Sequence, residues 1–326
     1  MRAITFATPG GPEVLRLTTV PDLVPTPEQV LVRVRATALN RADTMQRTGN
    51  YPPPAGESDI LGLELAGEVE AVGAAVKGIA PGDRVFGLVG SGGYAEKAVI
   101  DARMAIPMPA GWSFAQAAAV PEVFFTAQET LFTLGGLKEG ETVLIHAAAS
   151  GVGTAGIQMA RETGARILVT AGSTEKMQRC IELGATAGCN YKERDFADWV
   201  KEVTKGQGVD LIEDFIGAAY WDQNLRCLKT GGRLVLVGLM GGAKVEANLG
   251  LLMTKRLQVF GSVLRSRPLA DKIAITQRFR IHWLPLLAAG RIKPIIDRVF
   301  PLAQASDAHR YMEENRNVGK IILEVG

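Results

Sequence analysis

Val30, Val32 and Val34 alternate with Leu31, Arg33 and Arg35 within Glu28 to Ala36, the period-two pattern of a half-buried strand. Shorter runs of the same kind follow at 67–72, 84–87 and 95–100, and Pro81-Gly82-Asp83 is a turn that feeds the second of them. Glycines and prolines separate these runs, so the first third predicts a small, irregular β-barrel-like domain with functional loops. The texture changes near Ser113. Phe114 to Leu134 reads as helix, after which short apolar runs alternate with helical stretches. Strands are predicted at Thr142 to His146, Arg166 to Thr170, Asp210 to Ile216, Arg233 to Val237 and Leu257 to Leu264. Helices are predicted at Thr154 to Glu162 and Thr174 to Leu183. Strands that alternate with helices pair in parallel through crossovers. Residues 122–265 therefore read as a doubly wound nucleotide-binding domain in an α/β protein. Lys320 to Val325 is strand-like, but periodicity alone does not place it.

A length of 326 residues favours two domains, and 47% hydrophobic content is enough for sizeable cores. With 36 Lys and Arg against 34 Asp and Glu, and no long run of one sign, no nucleic-acid or anionic-membrane surface is expected. No apolar stretch approaches the ~20 residues of a bilayer span. The opening residues Met1 to Phe6 lack the apolar core of a signal peptide. Cys180, Cys189 and Cys227 are odd in number and scattered, which signals neither a disulfide framework nor a metal site. A reducing, cytoplasmic setting is expected.

The chemistry concentrates after the first apolar run of the second domain. Ser150-Gly151-Val152-Gly153 opens a GxGxxG at Gly151, Gly153 and Gly156, with a strand before it and a helix after it. Small residues there let backbone N–H groups and a helix N-terminus approach a pyrophosphate. NAD sites commonly place an acid roughly twenty residues further on for the ribose 2′-hydroxyl. Here the strand tip carries none, while Ser173 offers a hydrogen bond and Lys176 a charge to a 2′-phosphate. This points to NADPH, with Glu175 read as a favourable first-turn acid. Lys176 read blandly is a solvated helix lysine.

The chain resembles the medium-chain dehydrogenase/reductase superfamily, and within it the zinc-free NADPH:quinone oxidoreductase (zeta-crystallin-like) branch. The motifs that carry the resemblance span the chain. They are Gly10 to Leu15, Ala38 to Asp43, Gly49 to Pro52, Leu61 to Gly67, Gly82 to Val85, Ala117 to Pro121, Ser150 to Gly153 and Gly319 to Leu323. Asn40 to Gly49 and Leu239 to Gly242 particularly resemble the stress-inducible quinone oxidoreductases. The resemblance implies a GroES-like catalytic domain of residues 1–121 and 266–326, a Rossmann domain of residues 122–265, and a substrate cleft at their junction. It also implies a homodimer, or a tetramer, joined along edge strands such as Leu257 to Leu264.

Zinc alcohol dehydrogenases of this superfamily hold a catalytic metal with a cysteine, a histidine and a third ligand. The matching positions here are Asn40, Leu63 and one near Glu122, and Gly87 to Tyr94 has no structural-zinc cysteine. Asn and Leu cannot replace thiolate and imidazole, so no metal is expected. A quinone is already electrophilic and needs mainly a well-placed hydride donor, so quinones are the expected acceptors. By family position Asn40 and Tyr51 lie beside the nicotinamide, with Asp43 close by. Asn40 either bonds cofactor or acceptor through its amide or caps the helix from Arg41. Tyr51 either orients a quinone carbonyl or anchors the Pro52-Pro53-Pro54 turn, and Asp43 reads as more structural than reactive. Further cofactor contacts implied by the resemblance are Tyr191, Gly217, Leu239, Met240, Gly241, Gly242, Ser262, Val263, Leu264 and Lys320. Phe124, Phe125 and Met240 are pocket walls or plain core, Glu64 a brace, and His146 a packed residue. Two other readings stay open: an alkenal or enone reductase, and a cofactor-binding crystallin-like or RNA-associated protein.

Overall fold

A computed structural model describes all 326 residues, Met1–Gly326. Seven strands come first: β1 (Arg2–Thr5), β2 (Arg16–Thr19), β3 (Gln29–Ala38), β4 (Glu64–Val72), β5 (Arg84–Leu88), β6 (Lys97–Asp101) and β7 (Ile106–Pro107). Six follow the change of texture: β8 (Thr142–Ile145), β9 (Arg166–Ala171), β10 (Ala187–Asn190), β11 (Val209–Asp214), β12 (Leu228–Leu236) and β13 (Gln258–Gly261). The last two are β14 (Ile296–Pro301) and β15 (Lys320–Glu324). The chain forms two compact units, one of Met1–Phe125 with Leu264–Gly326 and one of Thr126–Val263. The sequence texture drew these lines at 121 and 265. The first differs because the helix Pro121–Ala127 runs on as a π-helix, Gln128–Leu134, and so crosses the boundary without a break in pattern.

In the first unit β3 organises the sheet. β4 pairs along one edge of it, while β6 takes Gln29–Arg33 and β15 takes Ala36–Ala38 of the other. Val30, Val32 and Val34 are buried, as the alternation predicts, and Leu31 is buried as well. Two irregularities in the β3–β4 register, at Leu31/Val32 and Val34/Ala36, bend the strand. The C-terminal strand thus returns to the N-terminal sheet, as the resemblance implies. Its return carries Lys320 to the end of β3, beside Asn40.

The predicted helix 114–134 is two helices. Phe114–Ala118 starts on a Ser113 cap, reciprocated by Gln116, and ends at Ala119. A second helix begins at Pro121, which has no N–H to continue the ladder and pushes Val120 out of helical geometry.

In the second unit six strands are parallel, in the order β10-β9-β8-β11-β12-β13. Numbered within the unit this is 3-2-1-4-5-6, and the order reverses between β8 and β11. Ligands of such sheets bind at the strand C-termini by that switch point. Leu144, Leu168, Ile212 and Leu234 form the core of this unit with Phe196, Trp199 and Leu225 from its helices. β13 is the exposed edge.

Candidate active site and dinucleotide loop

Asn40 ends the β3 segment and stands at the N-cap of the helix Arg41–Arg47. The cap is made without its amide. Asp43 Oδ2 accepts the Asn40 backbone N–H at 2.8 Å. The Asn40 side chain turns the other way: Nδ2 donates to Glu64 Oε1 at 2.8 Å, and Oδ1 accepts from Lys320 Nζ at 2.7 Å. Lys320 Nζ also donates to Leu39 O at 2.7 Å and Glu64 Oε1 at 2.8 Å, which uses all three ammonium protons. Glu64 Oε2 accepts the Glu122 N–H at 2.8 Å, and its backbone oxygen accepts Thr37 Oγ1 at 2.6 Å. A buried ion pair is tolerated when its remaining donors and acceptors are satisfied in this way.

This arrangement does not fit zinc. The Lys320 ammonium already stands where the oxygens of Asn40 and Glu64 converge, and Leu63 is a buried apolar side chain. Nowhere does the chain gather three or more His, Cys, Asp or Glu side chains that could hold a metal ion. Lys320, which the resemblance implied as a cofactor contact, is instead buried with every proton used inside the first unit. Its position follows from β15 pairing with β3.

Tyr51 is half-buried. Its carbonyl accepts from Arg265 Nη1 at 3.3 Å, and the guanidinium carbon lies 5.3 Å from its ring centre. Arg265 is itself buried, bonded to Gly90 O and Gln46 Oε1, each at 2.7 Å. No protein group bonds the Tyr51 hydroxyl. Burial raises its pKa, Glu122 adds to the rise and Arg265 opposes it, so the phenol keeps its proton. Glu122 is crowded by protein yet retains some solvent exposure, and burial with the Glu64 charge pushes its carboxyl up to about 8. Asp43 is fully enclosed. It takes N–H bonds from Asn40 at 2.8 Å and Gly62 at 3.2 Å and a bond from Tyr94 Oη at 3.1 Å, and burial raises its pKa to about 6. Expected among the catalytic residues, it is a brace with no face open to a substrate.

The second unit presents the glycine loop. Ala147, just past β8, has φ 46°, a left-handed conformation that non-glycine residues rarely adopt outside sites where backbone direction matters. Ser150 then caps the helix Gly151–Glu162, its Oγ accepting the Gly153 N–H at 3.1 Å, and Gly151 and Val152 stay partly open. A Cβ at Gly153 would lie 2.5 Å from Ala148 O, and one at Gly156 would lie 3.2 Å from Leu131. Both glycines keep the helix close to the strand and leave its N-terminus free for a phosphate, so the cradle fits a dinucleotide.

Ser173 caps the next helix, accepting the Lys176 N–H at 3.3 Å, and Lys176 is half-buried. Glu175 is held below the usual carboxylate range by its own N–H and by the Ser173 hydroxyl. Tyr191 is 41% exposed and lies over Gly172, where a Cβ would come 2.7 Å from its hydroxyl. Gly217, at φ 79°, packs under Leu239 and Gly242. Met240 and Gly241 bond Phe215 O and Ile216 O, which holds the Leu239–Gly242 loop with Leu239 and Met240 exposed. Ser262 N–H continues the sheet to Leu236 O, and Val263 is exposed. Leu264 is buried in the first unit and presents no side chain to a ligand. Phe124 and Phe125 are core.

The bonding partners of three buried groups escape the sequence pattern. His146 is buried, bonded to Thr170 Oγ1 at 2.9 Å and Asn224 Oδ1 at 2.8 Å, and burial pulls its pKa to about 4. Asn224 bonds Asp214, whose carboxylate takes the N–H groups of Ile216 and Gly217 and so shapes the turn after β11. The pairing of Glu64 with Lys320 and the placement of Arg265 are the others. Their one sequence signal is a charge set within or beside a buried apolar run, as in Leu63-Glu64-Leu65 and Lys320-Ile321-Ile322.

Residues 26–110 match the alcohol dehydrogenase GroES-like domain family, and residues 151–277 match the zinc-binding dehydrogenase family. A quinone oxidoreductase of Pseudomonas aeruginosa is 37% identical over 99% of both chains. The structure of an Escherichia coli quinone oxidoreductase complexed with NADPH superposes with a TM-score of 0.90, at 34% identity, over 99% of this chain and 100% of that one. CurK enoyl reductase superposes with a TM-score of 0.89 at 28% identity, over 100% of this chain and 99% of the other. No helix is long and apolar enough to cross a membrane.

Proposed function

The chain belongs to the medium-chain dehydrogenase/reductase superfamily, in its quinone oxidoreductase branch, and from that premise we propose that it reduces quinones with NADPH and without a metal. The observation that carries this reading is the Lys320 ammonium lodged between Asn40 and Glu64. A centre filled by a lysine has no open Lewis acid for an alkoxide and suits an acceptor that is electrophilic by itself.

Bound NADPH would supply the hydride, and one proton completes the hydroquinone. The N–H groups of Gly151 and Val152, at the open end of the helix, would receive the pyrophosphate, with Ser150 and Gly153 shaping the loop by their own bond. Lys176 and Ser173 take the 2′-phosphate, and Tyr191 packs on the adenosine side. Gly217, Leu239–Gly242, Ser262 and Val263 serve the nicotinamide half. Tyr51 donates its unpaired hydroxyl to the acceptor carbonyl, and Asn40 is held in orientation by Glu64 and Lys320. Glu122, protonated at neutral pH, holds a proton in the same cluster. Three free, buried cysteines fit a reducing, cytoplasmic setting. A homodimer joined along β13 fits its place as an exposed edge strand, with Val259 on it open.

The test is an acceptor screen that follows NADPH oxidation. Ortho- and para-quinones should turn over, with NADPH preferred to NADH. Turnover of α,β-unsaturated carbonyls with none of quinones would replace this reading by an enone reductase, which the likeness to CurK enoyl reductase favours.

A further inference from the structure

Behind the Asn40 cluster lies a second line of buried polar side chains that the proposed reaction does not use. Arg47 is 1% exposed, and its Nε donates to Gly10 O at 3.0 Å. Its Nη2 bonds Glu313, and its Nη1 lies 3.1 Å from His309 Nδ1. His309 Nε2 lies 3.2 Å from Tyr94 Oη, which lies 3.1 Å from Asp43 Oδ2. Asp43 then takes the N–H groups of Asn40 and Gly62.

The donors fix the direction of every bond. A guanidinium only donates, so His309 Nδ1 accepts and the neutral ring carries its proton on Nε2. Nε2–H donates to the Tyr94 oxygen, and the tyrosine proton is left for Asp43. Burial and the Arg47 charge keep His309 neutral, with its pKa lowered to about 3. Because Arg47 at the far end gives up no proton, the line is not a conduit from solvent. Gly62 is held to the same device: at φ 100° its Cβ would meet Tyr94 at 2.6 Å.

We infer that Arg47, His309 and Tyr94 are positioning residues, a one-way hydrogen-bond chain that keeps Asp43 a pure acceptor and thereby fixes Asn40 and the Gly62–Glu64 entry to β4. Protonating Asp43 would set its O–H against the Tyr94 O–H, leaving one hydrogen unmatched in a buried site. Lys320 and Arg265 also favour the Asp43 anion, while burial opposes it, as does Glu122 once it ionises. The effect on turnover rests on the quinone reductase reading; the direction of the chain does not.

The test uses the full chain carrying Tyr94→Phe, His309→Leu or His309→Gln. Tyr94→Phe and His309→Leu should each lower kcat about tenfold at neutral pH, leave KM for NADPH unchanged, and raise the acid limb of the pH profile by about one unit. His309→Gln, whose amide accepts from Arg47 and donates to Tyr94, should restore both. Nitrogen NMR of the wild type should show His309 neutral with its proton on Nε2, and carbon NMR should show the Asp43 titration moving upward in Tyr94→Phe. A proton on Nδ1, or an unmoved Asp43 titration and kcat in Tyr94→Phe, would overturn the inference. A wild type that turns over no quinone would instead overturn the functional reading, and the two NMR measurements would still decide the chain.

Discussion

Lys320 Nζ and Glu64 Oε1 meet at 2.8 Å with side chains 3% and 0% exposed, one at the start of the last strand and the other at the start of β4. Their contact ties the C-terminal strand to the N-terminal sheet and sets the amide of Asn40 between them. Lys320→Met leaves the Glu64 carboxylate buried without its cation and should destabilise the first unit by about 3–5 kcal/mol. Replacing both, as Lys320→Met with Glu64→Leu, should recover most of that loss. Urea denaturation of the wild type and the two variants checks both statements.

Gly153→Ala should impair NADPH binding more than it impairs folding. The new Cβ would press on Ala148 O at 2.5 Å and Ala148 Cα at 2.6 Å, and backbone cannot swing aside as a side chain does. The loop must shift where the pyrophosphate is to sit. A loss of at least about tenfold in affinity, ~1.4 kcal/mol, is expected from a fluorescence titration.

Lys176→Glu should erase the preference for NADPH. It places a second acid beside Glu175, which already stands anionic at the head of the helix Thr174–Glu182. Discrimination by kcat/KM between NADPH and NADH should fall at least about tenfold, since one charge-assisted bond is lost and one repulsion gained. Unchanged discrimination would remove Lys176 from the site.

The second unit was the more legible part of the sequence. Strands of a parallel sheet are buried on both faces, and β8, β9 and β11 show it as short apolar runs between helices. The glycine loop was legible because Gly153 and Gly156 have local steric reasons that travel with the sequence. Family position singles out Asn40, but its bonds are not legible. The amide points to Glu64 and Lys320, residues 24 and 280 positions away, and no local period reports such contacts. The resemblance implies Lys320 as a cofactor contact, whereas the pairing of β15 with β3 encloses it, a long-range contact that no local pattern reports. The split of the helix 114–134 was within reach, since Pro121 announces it.

Glu213 gives a stability test in the second unit. It lies in the middle of the sheet, bonded to Thr130, with its other oxygen buried and unpartnered, and burial lifts its pKa from 4.5 to about 8. Between those values the folded protein holds a proton that the unfolded chain has released. Its contribution to stability therefore falls as pH rises from about 4.5 to about 8 and levels off above that. Glu213→Gln, which cannot ionise, should gain on the wild type across this window. Denaturation midpoints of both proteins at the two ends of the window measure the difference, and a constant gap would contradict a buried neutral Glu213.

Quinone reduction at a centre organised by a lysine in place of a metal should need no zinc. Its most direct measurement is kcat/KM for a para-quinone with NADPH, taken after exhaustive chelation and again with zinc restored. Turnover should be equal in the two states and strongly reduced in Asn40→Leu. Activity that vanishes on chelation and returns with zinc would contradict it.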